Sequence, residues 1–281
     1  MRICDTIEEM RRASHSARRA GQHLGFVPTM GALHEGHLSL VRAAKSRCGA
    51  VAVSIFVNPL QFGPQEDLAK YPRTLERDRE LLENEGVDLL FAPSVGDMYP
   101  AGAVTYVTVE GLSESLCGKS RPGHFRGVTT VVAKLFHIVE PDVAFFGQKD
   151  AAQVAIIRRM VRDLNFPVEI AVGPIVREAD GLAMSSRNVY LSTTERRSAL
   201  VLHHALKEIA RRFEKGERNS AALIEAGKRA FVREPSVQLD YLEIVDPETL
   251  EAVPELNHSA LVAVAAFVGK TRLIDNVVLS D

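Results

Sequence analysis

Apolar and polar positions in the first half of the chain alternate between short apolar runs and longer amphipathic stretches. "GFVPT" at 25–29 and "AVAVSIFV" at 50–57 are typical of buried strands, and "HLSLVRAAKSR", from His37, places apolar residues at helical spacing between them. A strand, a helix and a second strand within about 35 residues predict a parallel unit with a right-handed crossover.

The same alternation continues to about residue 175. Helices are predicted at 74–86 and 127–141, each followed by a strand-like run, "VDLLFAP" and "DVAFFG" respectively. The helix "DAAQVAIIRRMVRDL" and the strand "VEIAVGP" come next. The pattern predicts an α/β protein with a Rossmann-like, doubly wound parallel sheet and helices on both faces.

The pattern changes after about residue 176. Two helical stretches, "TTERRSALVLHHALKEIARRFEKG" and "SAALIEAGKRAFVRE", precede the strand-like runs "LDYLEIVD", "ALVAVAAFVG" and "RLIDNVVL". We therefore expect a catalytic domain over 1–175 and a smaller α+β C-terminal lid domain over 176–281, with the hinge near "GPIVREADGLAMSSRN". "GKT" at 269–271 is not a P-loop, because Val264 replaces the first glycine of that motif and no helix pattern follows.

Composition narrows the class of protein. Apolar residues are 46% of the chain, charged residues 25%, and the net charge is −2 without a basic block, which favours a globular protein that does not bind nucleic acid. Three widely spaced cysteines indicate a cytoplasmic protein without a disulfide framework or a zinc site. The longest apolar run is about half of what spans a bilayer, and charges interrupt the first residues where a signal peptide needs an apolar core, so neither a membrane nor secretion is expected.

The first strand-to-helix turn carries the strongest candidate chemistry. Gly31 and Gly36 leave the backbone bare, and His34 and His37 lie three residues apart where the helix begins. Unpaired N–H groups at a helix start favour phosphate, and residues three apart can direct both imidazoles at one oxygen. From the spacing alone, exposed polar residues in a strand-to-helix turn are the more common explanation of this pattern.

Four stretches together carry a resemblance. "HEGH" at 34–37 resembles the HxGH (HIGH-type) signature of the nucleotidyltransferase superfamily, whose histidines contact ATP phosphates. "SIFVNPLQFGPQEDLAKYPRT" at 54–74, "GHFRGVTTVVAKLF" at 123–136 with "PDVAFFGQKDAAQ" at 141–153, and "LAMSSRNVYLS" at 182–192 resemble the pantothenate synthetase family. The match runs in order through most of the chain.

The resemblance implies an activity. In that family, ATP and (R)-pantoate give a pantoyl adenylate and pyrophosphate, and the amine of β-alanine then displaces AMP to give pantothenate. It implies an AMP-forming carbon–nitrogen ligase that uses ATP with Mg²⁺, needs no organic prosthetic group, and forms a homodimer through the larger domain.

The resemblance also assigns site residues. It makes His37 the catalytic histidine, described as a proton donor, although stabilisation of developing charge suits phosphoanhydride cleavage better. His34, Lys149 and Arg187 join it as catalytic groups. The residues implied for ATP are Met30, Gly31, His34, Gly36, His37, Gly147, Gln148, Lys149, Asp150, Val176, Met184, Ser185, Ser186 and Arg187, and those for pantoate and β-alanine are Gln61 and Gln153.

Several of these residues have a plain structural alternative. Without the resemblance, Asp150 is better explained as a helix N-cap and Lys149 as a solvated charge. "MSSR" is also suited to be a turn that caps a helix, and Met184 or Val176 to lie in the core. Asp67 and Asp78 are candidate carboxylates near magnesium, but the metal ligands stay open because Mg²⁺ commonly binds the triphosphate with few protein ligands.

Two other functions remain as alternatives. One is a nucleotidyltransferase that retains AMP in its product, and the other is a nucleotide-binding protein without catalysis. Release of free AMP that depends on β-alanine distinguishes the ligase from the first alternative, and pyrophosphate release distinguishes it from the second.

Overall fold

A computed structural model describes residues 1–64 and 66–280. Gln65, inside the motif at 54–74, and Asp281, the end of the expected second domain, lie outside the described residues. The chain divides into two compact units. The first comprises Met1–Ser113, Arg121–Gly147 and Ile156–Pro174, and the second comprises Glu114–Ser120, Gln148–Ala155 and the chain from Ile175 onward. The division into catalytic and lid domains at 175/176 stays a prediction.

The described residues form the following helices and strands in chain order: β1 Arg2–Cys4, α1 Ile7–Arg19, β2 Leu24–Thr29, α2 Glu35–Arg47, β3 Ala50–Ile55, α3 Leu75–Asn84, β4 Leu89–Phe91, α4 Val95–Met98, α5 Cys117–Ser120, α6 His124–Val139, β5 Val143–Gly147, α7 Ala151–Asp163, β6 Glu169–Gly173, α8 Thr193–Ser198, α9 Leu200–Glu214, α10 Ser220–Val232, β7 Val237–Val245, β8 Ala260–Val268 and β9 Thr271–Leu279. Short 3₁₀ helices, Pro59–Gln61 and Gln148–Asp150 among them, lie in the connections.

The first unit is built on a parallel sheet. Its six strands among the described residues have the order β1-β4-β3-β2-β5-β6. The chain leaves β2 toward β3 on one side and returns to β5 on the other, so β2 lies where the strand order reverses. In open sheets of this kind, ligands bind beyond the carboxyl ends of the strands at such a reversal.

The sheet is buried on both faces. Val27, Val51 and Val53 pack in one cluster with Leu40 and Val41 of α2. Alternate residues of the same strands, among them the fully buried Phe26 and Ala52, point to the opposite face. Helices α1 and α6 contact each other and strand β2. Burial on both faces is why these strands are continuous apolar runs instead of alternating ones.

The second unit contains an antiparallel sheet. In the described chain it has three strands in the order β7-β8-β9, and the hairpin between β8 and β9 turns at Gly269 and Lys270. Helices α9 and α10 pack together, and their buried side chains form one cluster with Leu242, Val262 and Val264 of the sheet. The "GKT" sequence therefore lies at a hairpin, which agrees with its rejection as a P-loop.

Residues 114–120, early in the chain, also belong to this second unit. The Cys117 thiol lies 3.1 Å from the Tyr241 hydroxyl on β7, and Ser120 donates to the Asp240 carboxylate at 2.9 Å. Asp240 falls at a register shift between β7 and β8, and its carboxylate also pairs with Arg272 at 2.7 Å. Burial raises the pKa of the Tyr241 hydroxyl, aided by the neighbouring Cys117.

The fold class expected from the sequence is confirmed. Each predicted strand and helix is present, with ends displaced by a few residues, and the "TTERRSALVLHHALKEIARRFEKG" helix is divided into α8 and α9. Strand β1, helix α1 and the short helices α4 and α5 were not predicted. Among the described residues, no helix is long and apolar enough to cross a membrane.

Candidate active site

The loop between β2 and α2 is held by a buried carboxylate. Gly31 and Ala32 have positive φ angles of 83° and 51°, so the chain turns sharply after the strand. Asp78 on α3 is fully buried and accepts the backbone N–H groups of Ala32 at 2.8 Å and Leu33 at 2.9 Å. Thr74 also donates to it. This carboxylate fixes the backbone that leads into His34.

Asp78 was considered from the sequence as a carboxylate near magnesium. Its burial and its three donors give it a structural task in the loop instead. Over residues 1–64 and 66–280, no group of three or more His, Cys, Asp or Glu side chains is arranged to hold a metal ion. The metal ligands therefore stay open, as the sequence left them.

His34 and His37 form the N-terminal cap of α2. The His34 Nδ1 accepts the Gly36 N–H at 3.1 Å, and the His37 Nδ1 accepts the His34 N–H at 3.3 Å. The two half-buried rings lie 4.1 Å apart between centroids. Because both Nδ1 atoms accept backbone N–H groups, each neutral ring carries its hydrogen on Nε2. The geometry provides two imidazole N–H donors beside the positive end of a helix dipole.

Gln61 and Met30 lie together in the first unit. Gln61 ends the 3₁₀ helix Pro59–Gln61 after β3 and is 8% exposed. Its Nε2 contacts the Met30 sulfur at 2.9 Å, and its Oε1 accepts from Asn58 at 3.1 Å. Tyr99 donates to the Asn58 amide oxygen at 2.8 Å, and burial raises the pKa of the Tyr99 hydroxyl. The Gln61 amide is thus oriented by a series of hydrogen bonds that runs from Tyr99 through Asn58.

Two further glycines that the sequence assigned to ATP, Gly36 and Gly147, belong to the first unit. Gly36 is in the first turn of α2, and Gly147 is the last residue of β5. Because β2, β3 and β5 are parallel, Gly147 lies at the same edge of the sheet as Thr29 and Ile55. This is the edge at which open α/β sheets bind ligands.

In the second unit, Gln148, Lys149 and Asp150 form one 3₁₀ turn that is tied to β9. Asn276 is 3% exposed and its amide donates to the carbonyl oxygens of Gln148 and Lys149, each at 2.9 Å. The Gln148 amide donates back to the Asn276 oxygen at 3.0 Å. The Lys149 ammonium lies 3.9 Å from the Asp150 carboxylate. Gln153 follows in the first turn of α7 and is half-buried.

A narrow hairpin carries the other residues of the second unit that the sequence assigned to ATP. Met184 donates its N–H to the Val176 carbonyl at 3.0 Å, and Arg177 pairs with Ala183 in an antiparallel bridge. The chain then enters the 3₁₀ helix Ser186–Tyr190, whose N-cap Ser185 accepts the Arg187 N–H at 3.2 Å. Val176 and Met184 are therefore neighbours on the hairpin. Ser185, Ser186 and Arg187 directly follow Met184 in the chain.

Consecutive residues of β9 hold the hairpin and the Gln148–Asp150 turn. Asp275, 4% exposed, forms two hydrogen bonds with the Arg177 guanidinium at 2.7 and 2.9 Å, while the adjacent Asn276 holds the turn. Paired, largely buried charges with two parallel hydrogen bonds define both distance and orientation. Within this unit, both segments that were assigned to ATP from the sequence are anchored on adjacent residues of β9.

Several residues around these segments had no role in the sequence interpretation. They are the loop and turn anchors Asn58, Arg121, His124, Gly127, Asp275 and Asn276. Apart from Asp275 and Asn276, they lie inside the quoted motifs or close to them. The two adjacent polar residues within the apolar strand "LIDNVV" are a signal by which the last two could have been found, but the sequence interpretation did not use it.

Comparison with known proteins agrees with this arrangement. The family described as pantoate-beta-alanine ligase matches residues 2–278. A pantothenate synthetase of Koribacter versatilis is 59% identical over 279 residues, covering 99% of this chain and 96% of the relative, and one of Acidobacterium capsulatum is 61% identical over 292 residues, covering 100% and 98%.

Solved structures are similar over the same length. The crystal structure of pantothenate synthetase from Thermus thermophilus has a TM-score of 0.94 at 50% identity, covering 99% of both chains. A pantoate-beta-alanine ligase from Francisella tularensis, crystallised with "Beta-gamma ATP" and β-alanine, has a TM-score of 0.79 at 37% identity, covering 99% of this chain and 97% of that one. With a family match across nearly all of its residues and relatives at about 60% identity, the chain belongs to the pantoate–β-alanine ligase family.

Proposed function

We propose that this protein condenses (R)-pantoate with β-alanine at the expense of ATP. A pantoate carboxylate oxygen attacks the α-phosphorus, the bond to pyrophosphate breaks, and a pantoyl adenylate forms. The β-alanine amine then attacks the acyl carbon, and AMP leaves as pantothenate is made. The observation that carries the proposal is the capped pair of histidines at the start of α2, in a chain that belongs to this ligase family.

The histidine pair acts on the ATP phosphates. With both Nδ1 atoms accepting backbone N–H groups, the Nε2–H groups of His34 and His37 are donors suited to phosphate oxygens. Negative charge increases on the phosphate oxygens and on the departing pyrophosphate in the first step, so these donors stabilise the transition state. His37 therefore stabilises charge rather than supplying a proton. Gly31 and Gly36 allow the triphosphate to approach the backbone.

The segments of the second unit supply the remaining ATP contacts. Lys149 and Arg187 neutralise phosphate charge, and Ser185 and Ser186 donate hydroxyl hydrogens to it. Asp150 accepts from the ribose, while Val176 and Met184 contact the adenine. These proposed ATP contacts are supported by the way both segments, the Gln148–Asp150 turn and the 176–187 hairpin, are anchored on the adjacent residues Asp275 and Asn276. Gln148 orients the turn through Asn276, and Gly147 admits ATP to the sheet edge.

The acid is held by two glutamines. A neutral amide both donates and accepts, so Gln61 and Gln153 bind the hydroxyl-rich pantoate without neutralising its nucleophilic carboxylate. Gln61 is already oriented by Asn58, and Met30 lies against its amino group. We also assign Gln61 to β-alanine, whose amine must reach the same acyl carbon.

Further parts of the proposal rest on the family resemblance. Mg²⁺ enters with ATP, bound by the triphosphate oxygens. The protein works in the cytoplasm as a homodimer. Metal dependence of pyrophosphate release and the mass measured by analytical ultracentrifugation test the first and the last of these statements.

One incubation separates the proposed reaction from its alternatives. The protein is mixed with ATP, Mg²⁺ and pantoate, β-alanine is added later, and pyrophosphate and AMP are measured separately. We expect at least one equivalent of pyrophosphate before β-alanine, and AMP only after it. AMP retained in a stable product favours a nucleotidyltransferase, and ATP binding without pyrophosphate favours a protein without catalysis.

A further inference from the structure

The Gln61 carbonyl is held in place by two side chains from a distant part of the chain. The His124 Nδ1 lies 2.8 Å from this oxygen, and an Arg121 guanidinium nitrogen donates to it at 3.2 Å. All three residues belong to the first unit. The backbone of Gln61 is thereby fixed independently of its side-chain amide, which Asn58 orients.

The Arg121 guanidinium is directed into the protein. Its Nε donates to a Glu66 carboxylate oxygen at 2.8 Å, a second nitrogen pairs with the other oxygen, and a third lies 3.0 Å from His124 Nε2. A guanidinium can only donate, so His124 Nε2 accepts and its Nδ1 carries the hydrogen given to Gln61. The Arg121 side chain is 14% exposed and that of Glu66 25%.

The charge of Arg121 is matched by Glu66. Burial opposes ionisation of Glu66, but the hydrogen bonds and the positive charge of Arg121 outweigh it and lower the pKa of this carboxyl. An arginine whose charge is neutralised by a partner attracts a substrate carboxylate weakly. Its geometry therefore suits orientation of the turn better than direct contact with an anion.

Gly127 on α6 adds a steric constraint on the same turn. A Cβ at this position would lie 2.3 Å from the Leu60 carbonyl oxygen and 2.6 Å from the Gln61 nitrogen. Asn58 also donates to the Gly127 carbonyl at 3.0 Å. The helix backbone thus touches the turn directly, and a displacement of Gln61 requires these contacts to change.

We propose that Arg121, held by Glu66 and His124, is a positioning residue that sets the Gln61 amide for the acid substrate. The inference rests on the proposed role of Gln61 in binding pantoate. Arg121 acts on pantoate only through Gln61. Loss of its forked hydrogen bonds therefore weakens pantoate binding while Gln61 is present and has no further effect once the Gln61 amide is removed.

The test is a double-mutant cycle between Arg121→Lys and Gln61→Ala, with Michaelis constants for pantoate and ATP. Lysine keeps the charge beside Glu66 but cannot donate to Glu66, His124 and Gln61 together. We expect Arg121→Lys to raise the pantoate KM by about three- to tenfold, the size of one lost hydrogen bond, with the ATP KM changed less than about twofold. In the Gln61→Ala background, Arg121→Lys should change the pantoate KM by less than about 1.5-fold.

Two further variants control the experiment. Glu66→Gln disturbs the same pair from the other side and should raise the pantoate KM in the same direction. Arg126→Lys is the matched control, because Arg126 is exposed on α6 and stacks on Tyr106 at 3.8 Å. It should leave the pantoate KM unchanged.

The outcomes separate this inference from the function on which it rests. If Gln61→Ala leaves the pantoate KM unchanged, Gln61 does not bind the acid and both statements are wrong. If Gln61→Ala raises the pantoate KM and Arg121→Lys adds its full effect in that background, only the positioning role is overturned. Equal increases in the ATP and pantoate KM, with a lower melting temperature, indicate a merely structural role and also overturn it.

Discussion

Replacing Asp78 by asparagine should destabilise the loop that carries the histidines. The carboxylate accepts the N–H groups of Ala32 and Leu33 with its two different oxygens. Asparagine offers one oxygen and one amino group. In either orientation of the new amide, its amino group therefore faces one of these two N–H groups, and one buried donor loses its partner.

The expected magnitude follows from these two contacts. A buried N–H without a partner costs about 1–3 kcal/mol, and exchanging a charged acceptor for a neutral one at the other N–H costs about 1 kcal/mol more. The sum is a loss of roughly 2–4 kcal/mol in the free energy of unfolding. At about 2–4 °C per kcal/mol for a domain of this size, the melting temperature should fall by roughly 4–16 °C.

The same substitution should slow the first half-reaction. His34 directly follows Leu33, so movement of the loop displaces the imidazole donors. A displacement of about 1 Å costs on the order of 100-fold in rate. The assays are differential scanning calorimetry and pyrophosphate release with ATP and pantoate. Asp88→Asn is the control, because the half-exposed Asp88 side chain accepts one backbone N–H, that of Val51. A melting temperature and a pyrophosphate rate equal to those of the unchanged protein would refute the assigned role of Asp78.

Three further substitutions test other parts of the molecule. His37→Ala should lower the rate of pyrophosphate release by about 100- to 1,000-fold through loss of a transition-state donor; a rate within about threefold of normal contradicts its role. Asn276→Ala removes the donor to the Gln148 and Lys149 carbonyls and should raise the ATP KM by about tenfold in steady-state assays, leaving the pantoate KM unaltered. Burial, with the nearby charge of Arg177, lowers the pKa of His203, so the unfolded chain binds a proton more readily and stability should fall as the pH drops below about 6.5. His203→Gln should reduce this fall, measured by urea unfolding at about pH 7.5 and pH 5.5, and an identical fall in both proteins argues against it.

The parallel sheet was predictable because its strands are buried on both faces. Continuous apolar runs such as 50–55 stand out against charged helices, and their order along the chain implies the crossovers. β1 was missed because three residues are too short for any periodicity to appear. α1 was missed because its buried positions, Met10, Ala13 and Ser14, include little apolar surface among many charges.

The positions of the candidate site residues on the secondary structure were also predictable. The sequence places His34 and His37 at the start of α2 and Gln148–Asp150 between a strand and a helix, because turns and helix starts have local signatures. Their catalytic roles came from the family resemblance and remain proposals.

The residues that orient the site could not be predicted, because their contacts are distant in sequence. Asn276 reaches Gln148 across 128 positions, and Arg121 reaches Gln61 across 60. For Asp78, the sequence shows only a carboxylate in a charged helix. Its complete burial depends on the packing of α3 against the sheet. This burial is the reason that Asp78 is assigned to holding the loop and not to magnesium.

The assignment of residues 114–120 to the second unit has a consequence during synthesis. Cys117 meets Tyr241 only after 124 further residues have been added, which takes about 6–25 s on a ribosome that adds about 5–20 residues per second. The first unit is complete in sequence by Pro174. The whole sequence of the first unit is therefore made before residues 114–120 gain the strand with which they pack, so this segment joins its own unit late in synthesis.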